Sequence, residues 1–285
     1  KTIVALGLGK GGNPGEDWAR TKQELEQQLR FVRLIAPESP GVGFFAAGAT
    51  DELMAQADEL CGRFFGLPTD GSGLPDDVLL IETVFSPLAV LADLCEHTQA
   101  TQRLLAEDPT AVTRAVDAIT RTFEDFVPRA LDAGADGIYF ATVEWATKDR
   151  GWSAEDYRAF ASPFDRRVLA KAEGAAFNVL HVCRPRNYLP ALADYPVAAF
   201  SWAATEDGNL SLAEAQRVLR GALIGGIGHE DALVAPDDRL ALQQLEDGFR
   251  STQGRRWIVA PGCSILPTTP PERLEALREA VLSHA

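Results

Sequence analysis

The chain is poor in the residues that form disulfides and metal sites. Its 285 residues include only four Cys, four His and one Met. The cysteines are too widely spaced for the framework of a small disulfide-rich domain, so we expect reduced thiols and a cytoplasmic location. They are Cys61, Cys95, Cys183 and Cys263. Individual cysteines therefore remain available for metal binding or catalysis.

Positive charge and long apolar runs are also lacking. With 27 Lys and Arg against 41 Asp and Glu, the formal net charge is −14 at pH 7. Sequence-independent binding of nucleic acid requires a basic face, and so does attraction to an anionic membrane, so we expect neither partner. No apolar run approaches the roughly 20 residues of a membrane span, and we expect no signal peptide. The sequence begins at Lys1 rather than Met, as an incomplete N-terminus would.

Short apolar runs alternate with helical stretches along the chain. Eight runs are apolar on both alternations, which is typical of parallel strands covered on both faces. They are Thr2–Leu8, Val42–Phe45, Val78–Phe85, Asp136–Thr142, Phe177–Cys183, Val197–Trp202, Ala222–Ile227 and Trp257–Cys263. No low-complexity linker or internal boundary separates them, so we expect one domain over residues 1–285.

Eight strands alternating with helices predict an α/β fold of the (β/α)8 type, the TIM barrel. The alternative is an open doubly wound sheet. Its usual fingerprint is missing, because GLGKGG at residues 7–12 does not follow the G-x-G-x-x-G pattern. Sequence signals mark the N-termini of some of the expected helices, including capping-box spacings at Ser211 and Thr269. They are predicted at Gly15–Ile35, Pro87–Ala106, Pro109–Ala133, Leu212–Arg220 and from Pro270 onward.

The active site of a TIM barrel lies at the C-terminal ends of its strands and in the loops that follow. Polar, thiol and aromatic side chains gather at those positions in this sequence. They are Glu144, His181, Cys183, Trp202, Glu206, His229 and Cys263. Glu144 is a candidate for acid–base catalysis or metal binding, and His229 for metal binding or proton transfer. Trp202 and Glu206 are candidates for substrate binding.

His181 and Cys183 are two residues apart, so both point to the same face of their strand. Cys263, at the end of the last strand, can reach the same space. One imidazole and two thiolates form a ligand set for Zn²⁺ with a fourth position open, as in catalytic zinc sites. Such a site activates a thiol or, alternatively, a water molecule for hydrolysis. The competing interpretation is that both cysteines are small buried residues at strand ends.

A basic run, Arg184-Pro185-Arg186, follows Cys183 directly. Two guanidinium groups beside a metal site can bind a carboxylate, sulfonate or phosphate of a substrate bidentately. The alternative is a solvated loop without a ligand. Arg184 and Arg186 are therefore candidates for substrate binding.

Six stretches after residue 78 share a recognisable pattern. They are ETVFSPLAVLADL (82–94), ALDAGADGIYFAT (130–142), SAEDYRAFASPF (153–164), FNVLHVC (177–183), LSLAEAQRVL (210–219) and APGCSILPTTPPERLEALREAV (260–281). On these stretches the chain resembles the uroporphyrinogen decarboxylase superfamily. The last stretch is the most specific, with its strand, Gly-Cys turn and Pro-rich helix entry. The resemblance implies the TIM barrel fold.

The resemblance implies one of two chemistries. True uroporphyrinogen decarboxylases need no cofactor and bind a tetrapyrrole polyacid. The related cobamide-dependent methyltransferases hold zinc on a His-x-Cys pair and a distant Cys, and transfer methyl from a corrinoid to a thiol such as coenzyme M. Two departures favour the methyltransferase branch: residues 1–60 lack an R-Q-A-G-R-Y-like segment, and G-C-S-I at residues 262–265 stands where decarboxylases resemble G-H-G-I. The implied zinc ligands are His181, Cys183 and Cys263.

We therefore expect a zinc-dependent methyltransferase that acts on a small-molecule substrate, with a corrinoid or corrinoid protein as methyl donor or partner. Zinc methyltransferases of the methionine-synthase type resemble this arrangement with a Glu between the two cysteines, which makes Glu206 a candidate fourth ligand. A homodimer is an open option for the assembly. Two alternatives remain: a uroporphyrinogen decarboxylase with Arg184 and Arg186 on substrate carboxylates, and a non-catalytic barrel that binds a corrinoid or tetrapyrrole.

Overall fold

The computed structural model describes residues 3–7, 79–95, 98–132, 135–266 and 268–284. Within them, seven strands form one parallel sheet whose spatial order follows the sequence. The strands are β1 Ile3–Gly7, β2 Leu79–Phe85, β3 Gly137–Ala141, β4 Val179–Val182, β5 Ala199–Trp202, β6 Ala222–Ile227 and β7 Trp257–Pro261. The α/β fold and seven of the eight predicted strands are thus confirmed. The remaining one, Val42–Phe45, lies outside the described residues.

Eight α-helices occur in the part of the chain that the structure describes. They are α1 Pro87–Leu94, α2 Thr98–Glu107, α3 Pro109–Asp132, α4 Ala154–Phe160, α5 Ser162–Ala170, α6 Leu212–Val218, α7 Arg239–Thr252 and α8 Pro271–Ser283. The helix predicted at Pro87–Ala106 is two helices, α1 and α2, whereas the one predicted at Pro109–Ala133 agrees with α3. The predicted helix Gly15–Ile35 lies outside the described residues. None of the helices described is both long and apolar enough to cross a membrane.

One of the two predicted helix caps is confirmed. Ser211 begins α6 with a full capping box, because its hydroxyl accepts from the Glu214 N–H and the Glu214 carboxylate accepts from the Ser211 N–H. The capping box predicted at Thr269 is wrong. Pro270 is the N-cap of α8, with no side-chain hydrogen bond, and the helix begins at Pro271. Thr269 therefore lies one residue too early to cap it.

The two faces of the sheet carry different side chains. The first, here called the inner face, carries a small buried cluster of Ile81, Val179, Ala199, Ile224 and Ala260. The opposite face packs against the helices with larger residues, among them Phe140, Leu180, Trp202 and Leu223. Residues two apart on a strand share a face. His181 and Ser201 therefore lie on the inner face, each two residues beyond a member of the small cluster.

Candidate metal centre

The end of β4 brings a histidine and a cysteine together on the inner face of the sheet. His181 is only 2% exposed, and Cys183 follows the last residue of the strand. The Nε2 atom of His181 lies 2.8 Å from the Sγ atom of Cys183. The two-residue spacing predicted this shared direction, and the structure places both side chains as predicted.

Cys263 reaches the same point from the end of β7. It follows β7, and its Sγ lies 3.8 Å from the Sγ of Cys183, 80 residues away in sequence. The turn that carries it needs Gly262, because a Cβ atom at that position would lie 2.6 Å from the Cα of Ala203. One atom each of His181, Cys183 and Cys263 lies within 4.8 Å of the others, so the three can hold one metal ion.

The two thiols strongly affect each other's ionisation. The hydrogen bond from Cys183 lowers the pKa of Cys263 to about 3, with help from the nearby His181 and against the effect of burial. The same contact, together with burial, raises the pKa of Cys183 well above its usual range. One sulfur of the pair therefore ionises readily, and a cation that binds between the two sulfurs would replace the proton that they share.

The second nitrogen of His181 has a defined partner that sequence reasoning missed. Nδ1 lies 3.0 Å from the hydroxyl oxygen of Ser201, which is the register partner of His181 on β5. That oxygen also lies 3.0 Å from the phenol oxygen of Tyr139 on β3. The signal was available, because Ser201 is a polar residue at the inner-face position of the neighbouring strand.

The carboxylate of Glu144, a predicted acid–base group, is paired with two arginines. Its two carboxylate oxygens contact the guanidinium groups of Arg184 and Arg150, one each. The Arg184 side chain is 52% exposed and follows Cys183 in sequence. Burial lowers the pKa of Arg184, but the contact with Glu144 and the charges of Cys183 and Cys263 outweigh it, so the pKa is raised overall. Glu144 thus fixes a cationic group beside the thiols.

Arg186 has a different environment from Arg184. Its guanidinium group donates to both oxygens of Asp149, at 2.9 and 2.8 Å, and to Asp207 at 3.1 Å. Its backbone N–H donates to the Asp207 carbonyl, and its carbonyl accepts from the Lys148 N–H. These contacts tie together the loops after β3, β4 and β5. Both acidic partners of the Arg186 guanidinium thus come from the protein itself, which argues against its predicted role in substrate binding.

Both arginines have backbone φ angles that residues other than glycine rarely adopt. The φ values are 75° at Arg184 and 50° at Arg186, in the left-handed region. Such positions are usually maintained by the surrounding structure and concentrate at functional sites. Here the surrounding structure includes Asn187, whose side-chain amide donates to the carbonyls of Val182 and Arg184.

Glu206 and His229 form a pair next to Cys263. The Nε2 of His229 lies 3.8 Å from Oε1 of Glu206 and also 3.8 Å from Oε1 of Glu230. Oε2 of Glu206 is buried and has no hydrogen-bond partner. Burial raises the pKa of Glu206, an effect that His229 opposes and that Glu230 and Cys263 reinforce. The pair therefore combines a carboxyl that holds its proton more tightly than usual with an imidazole.

Trp202 lies on the wrong face for substrate binding. It is fully buried in the cluster that packs against the helices, and its indole N–H donates to the Leu210 carbonyl at 2.7 Å. It is one residue beyond Ser201 on β5, so the alternation of the strand turns it away from His181. Its predicted role in substrate binding is therefore wrong.

The sequence also matches known proteins. Residues 71–284 match the uroporphyrinogen decarboxylase (URO-D) family. Among curated proteins, the chain is 26% identical over 207 residues to the methylcobamide:CoM methyltransferase MtaA of Methanosarcina barkeri. The aligned part covers 70% of this chain and 57% of MtaA, so the chain spans little more than half of that relative's length.

Solved structures give the same picture of the fold. A methyltransferase from Methanosarcina mazei superposes with a TM-score of 0.62 at 21% identity, covering 84% of this chain and 68% of that one. A B12-independent methionine synthase from Shewanella sp. W3-18-1 gives a TM-score of 0.51 at 12% identity, covering 72% and 62%. At these identities the likeness concerns the fold. Because the family match extends over most of its length, the chain belongs to the uroporphyrinogen decarboxylase family.

Proposed function

We propose that this protein is a zinc-dependent methyltransferase that moves a methyl group between a corrinoid or small methyl donor and a thiol. One observation carries the proposal: donor atoms of His181, Cys183 and Cys263 converge within 4.8 Å on the inner face of the sheet. The name of MtaA, a methylcobamide:CoM methyltransferase, supports the same reaction class.

The donor types and the spacing of the two sulfurs fit a zinc ion. Two thiolates at about 2.3 Å from one tetrahedral zinc are about 3.8 Å apart, and the sulfurs of Cys183 and Cys263 are 3.8 Å apart. An imidazole and two thiolates are also the donor types that zinc prefers. When bound, Zn²⁺ with one open position would lower the pKa of an incoming thiol and so supply a thiolate nucleophile.

The protein's own residues would hold the reactants and move the proton. The substrate thiol loses its proton, and its sulfur then attacks the methyl carbon; the S–CH₃ bond forms while the bond between methyl and donor breaks, and that electron pair leaves with the donor. We assign the proton transfer to His229 and Glu206, which lie together beside Cys263. Alternatively, Glu206, whose Oε2 is buried without a partner, would be the fourth metal ligand until the substrate thiol replaces it.

Arg184 would bind an acidic group of the thiol substrate. Its guanidinium is held by Glu144 next to Cys183, and half of the side chain is exposed. Arg150 shares the same carboxylate, so two cations face one anion at this edge of the site. A substrate carboxylate or sulfonate would balance the remaining positive charge.

We also propose that the sheet closes into a single-domain (β/α)8 barrel. Cys183 follows β4 and Cys263 follows β7, three strand positions away. In a flat sheet three steps of about 4.8 Å would separate them by about 14 Å, whereas their sulfurs are 3.8 Å apart. The sheet is therefore strongly curved, as closure into a barrel requires. An experimental structure of the whole chain tests this closure.

Metal analysis tests the proposed site. We expect about one zinc per chain in protein purified without a chelator, and less than about a tenth in Cys263→Ser, because a neutral hydroxyl replaces a thiolate ligand. Plasma mass spectrometry on dialysed protein gives the ratio. Cys95→Ser is the matched control, since Cys95 packs against the hydrophobic cluster between the sheet and the helices.

Two results would contradict the proposal. One is a wild-type protein that binds no zinc, or binds it equally in Cys263→Ser. The other is turnover of a polyacid substrate that survives complete removal of metal, which would favour the decarboxylase chemistry instead.

A further inference from the structure

The inner face of the sheet carries a chain of polar groups that ends on His181. From β4 to β5, Nδ1 of His181 lies 3.0 Å from the Ser201 hydroxyl. From β5 to β3, the same hydroxyl lies 3.0 Å from the Tyr139 hydroxyl. His181 and Ser201 are 2% and 3% exposed. The three residues come from adjacent strands, so the sheet itself fixes their spacing.

The direction of these hydrogen bonds determines what His181 can bind. Nε2 points to Cys183, at 2.8 Å, and is the nitrogen available to a metal. An imidazole that binds metal through Nε2 needs a lone pair there, so its proton is on Nδ1. Nδ1–H then donates to the Ser201 oxygen. If Ser201 donated instead, the proton would be on Nε2 and would block the metal.

Tyr139 supports this arrangement in two ways. Its ring stacks on the imidazole with centroids 5.3 Å apart and planes 26° apart, which restricts rotation of His181. Its phenol oxygen can accept the hydroxyl hydrogen of Ser201, which leaves the serine oxygen free to accept from Nδ1–H. The stack and the hydrogen bond thus act on the same ring.

We propose that Ser201 and Tyr139 are positioning residues for metal binding: Ser201 accepts the Nδ1–H of His181, Tyr139 orients the Ser201 hydroxyl and stacks on the ring, and together they present Nε2 to the metal. Zinc-bound histidines commonly donate their second N–H to a carboxylate, a backbone carbonyl or water. Here a serine hydroxyl backed by a tyrosine takes that place. The inference rests on the proposed zinc site, and it adds two residues that do not touch the metal.

Zinc affinity, measured without any activity assay, tests the inference. Competition with a chromophoric chelator gives the dissociation constant for zinc in the wild type and in Ser201→Ala, Ser201→Thr and Tyr139→Phe. Loss of an outer hydrogen-bond partner commonly weakens metal binding by about 10- to 100-fold, and we expect that loss in Ser201→Ala. Ser201→Thr keeps the hydroxyl and should restore most of the affinity. Tyr139→Phe keeps the stacked ring, so we expect a loss of less than about tenfold.

Two control variants separate positioning from general stability. Ser86→Ala removes a buried serine hydroxyl that accepts from the Ala89 N–H, and Tyr195→Phe removes a tyrosine hydroxyl that donates to Asp165. Both should bind zinc as the wild type does. Urea unfolding of the metal-free proteins gives their stabilities. If Ser201 had only a structural role, Ser201→Ala would have to be less stable than these controls.

The possible failures are distinguishable. If the wild type binds no zinc, or His181→Gln binds it equally well, the proposed zinc site is wrong and the inference falls with it. If zinc binding depends on His181 but Ser201→Ala keeps wild-type affinity, only the positioning role is overturned. The same holds if Ser86→Ala loses as much affinity as Ser201→Ala.

Discussion

Arg184 and Arg186 show how two like residues in one loop take different roles. Arg186 is bound by Asp149 and Asp207. Arg184 shares Glu144 with Arg150, next to Cys183. The sequence offered both as substrate-binding residues, because a basic pair gives no sign of which acidic side chains the neighbouring loops bring to it.

Replacement of Arg184 should affect acidic thiol substrates only. With methylcobalamin as donor, we expect Arg184→Ala to raise the KM for 2-mercaptoethanesulfonate or 3-mercaptopropionate by about 10- to 100-fold, the usual effect of losing a hydrogen bond to a charged group. The KM for neutral 2-mercaptoethanol should stay within about twofold. Initial-rate measurements with the three thiols check this.

Arg186→Ala is the matched control for that experiment. It removes the same side chain from the same loop, two residues away, where the guanidinium pairs with Asp149 and Asp207. We expect unchanged discrimination between acidic and neutral thiols. Equal losses in both variants would mean that the loop as a whole, rather than the Arg184 charge, determines the KM.

At the scale of elements, helices α4 and α5 enclose a buried acid that has no part in the proposed chemistry. Asp165 on α5 is fully buried and accepts hydrogen bonds from Tyr157 at 2.9 Å and Tyr195 at 2.8 Å. Its second oxygen, Oδ1, has no partner. Burial raises the pKa of the Asp165 carboxyl to about 7, although the two tyrosine hydroxyls oppose the shift.

This raised pKa makes the stability of the fold depend on pH. In the unfolded chain the carboxyl titrates near about 3.9, so between that pH and about 7 the folded state binds more protons. The stabilising contribution is complete below about pH 4 and is lost as pH rises to 7. Relative to Asp165→Asn, which cannot titrate, the wild type should lose roughly 3 kcal/mol of unfolding free energy between pH 5 and pH 8.

Urea unfolding at several pH values measures this loss. Both proteins should carry Cys263→Ser and be studied in EDTA, so that zinc binding adds no pH dependence of its own. If the two proteins differ by the same free energy of unfolding at every pH from 5 to 8, Asp165 ionises normally in the folded state.

The elements themselves were largely predictable from the sequence. Apolar runs such as Phe177–Cys183 and Val197–Trp202 mark buried parallel strands, and their two-residue alternation gave the shared direction of His181 and Cys183. The same alternation, applied to β5, would have excluded Trp202 and selected Ser201. What the sequence could not supply was contact between loops, such as the Glu144–Arg184 pair, because loop conformation has no comparable periodicity. The cap predicted at Thr269 is wrong because α8 begins at the second proline, Pro271, one residue later than expected.

At the scale of the whole molecule, the proposed zinc site joins parts of the sheet that are distant along the chain. The sulfurs of Cys183 and Cys263 are 80 residues apart in sequence, and β5 and β6 separate the strands that precede them. The unfolded chain has no preformed site of this kind. The free energy of zinc binding therefore adds to the stability of the folded state.

Removal of zinc should consequently lower the unfolding temperature. Zinc at about 100 times its dissociation constant stabilises a folded protein by about 2.7 kcal/mol, which corresponds to a rise in Tm of roughly 4 to 5 °C for a chain of this size. Circular dichroism during heating, with and without EDTA, measures the shift. Cys263→Ser should unfold at the same temperature in both conditions, whereas Cys95→Ser should keep the full wild-type response. A wild-type Tm that EDTA leaves unchanged would mean that no metal links β4 to β7, and the curvature that brings the two sulfurs to 3.8 Å would then have to be stabilised by the packing of the sheet alone.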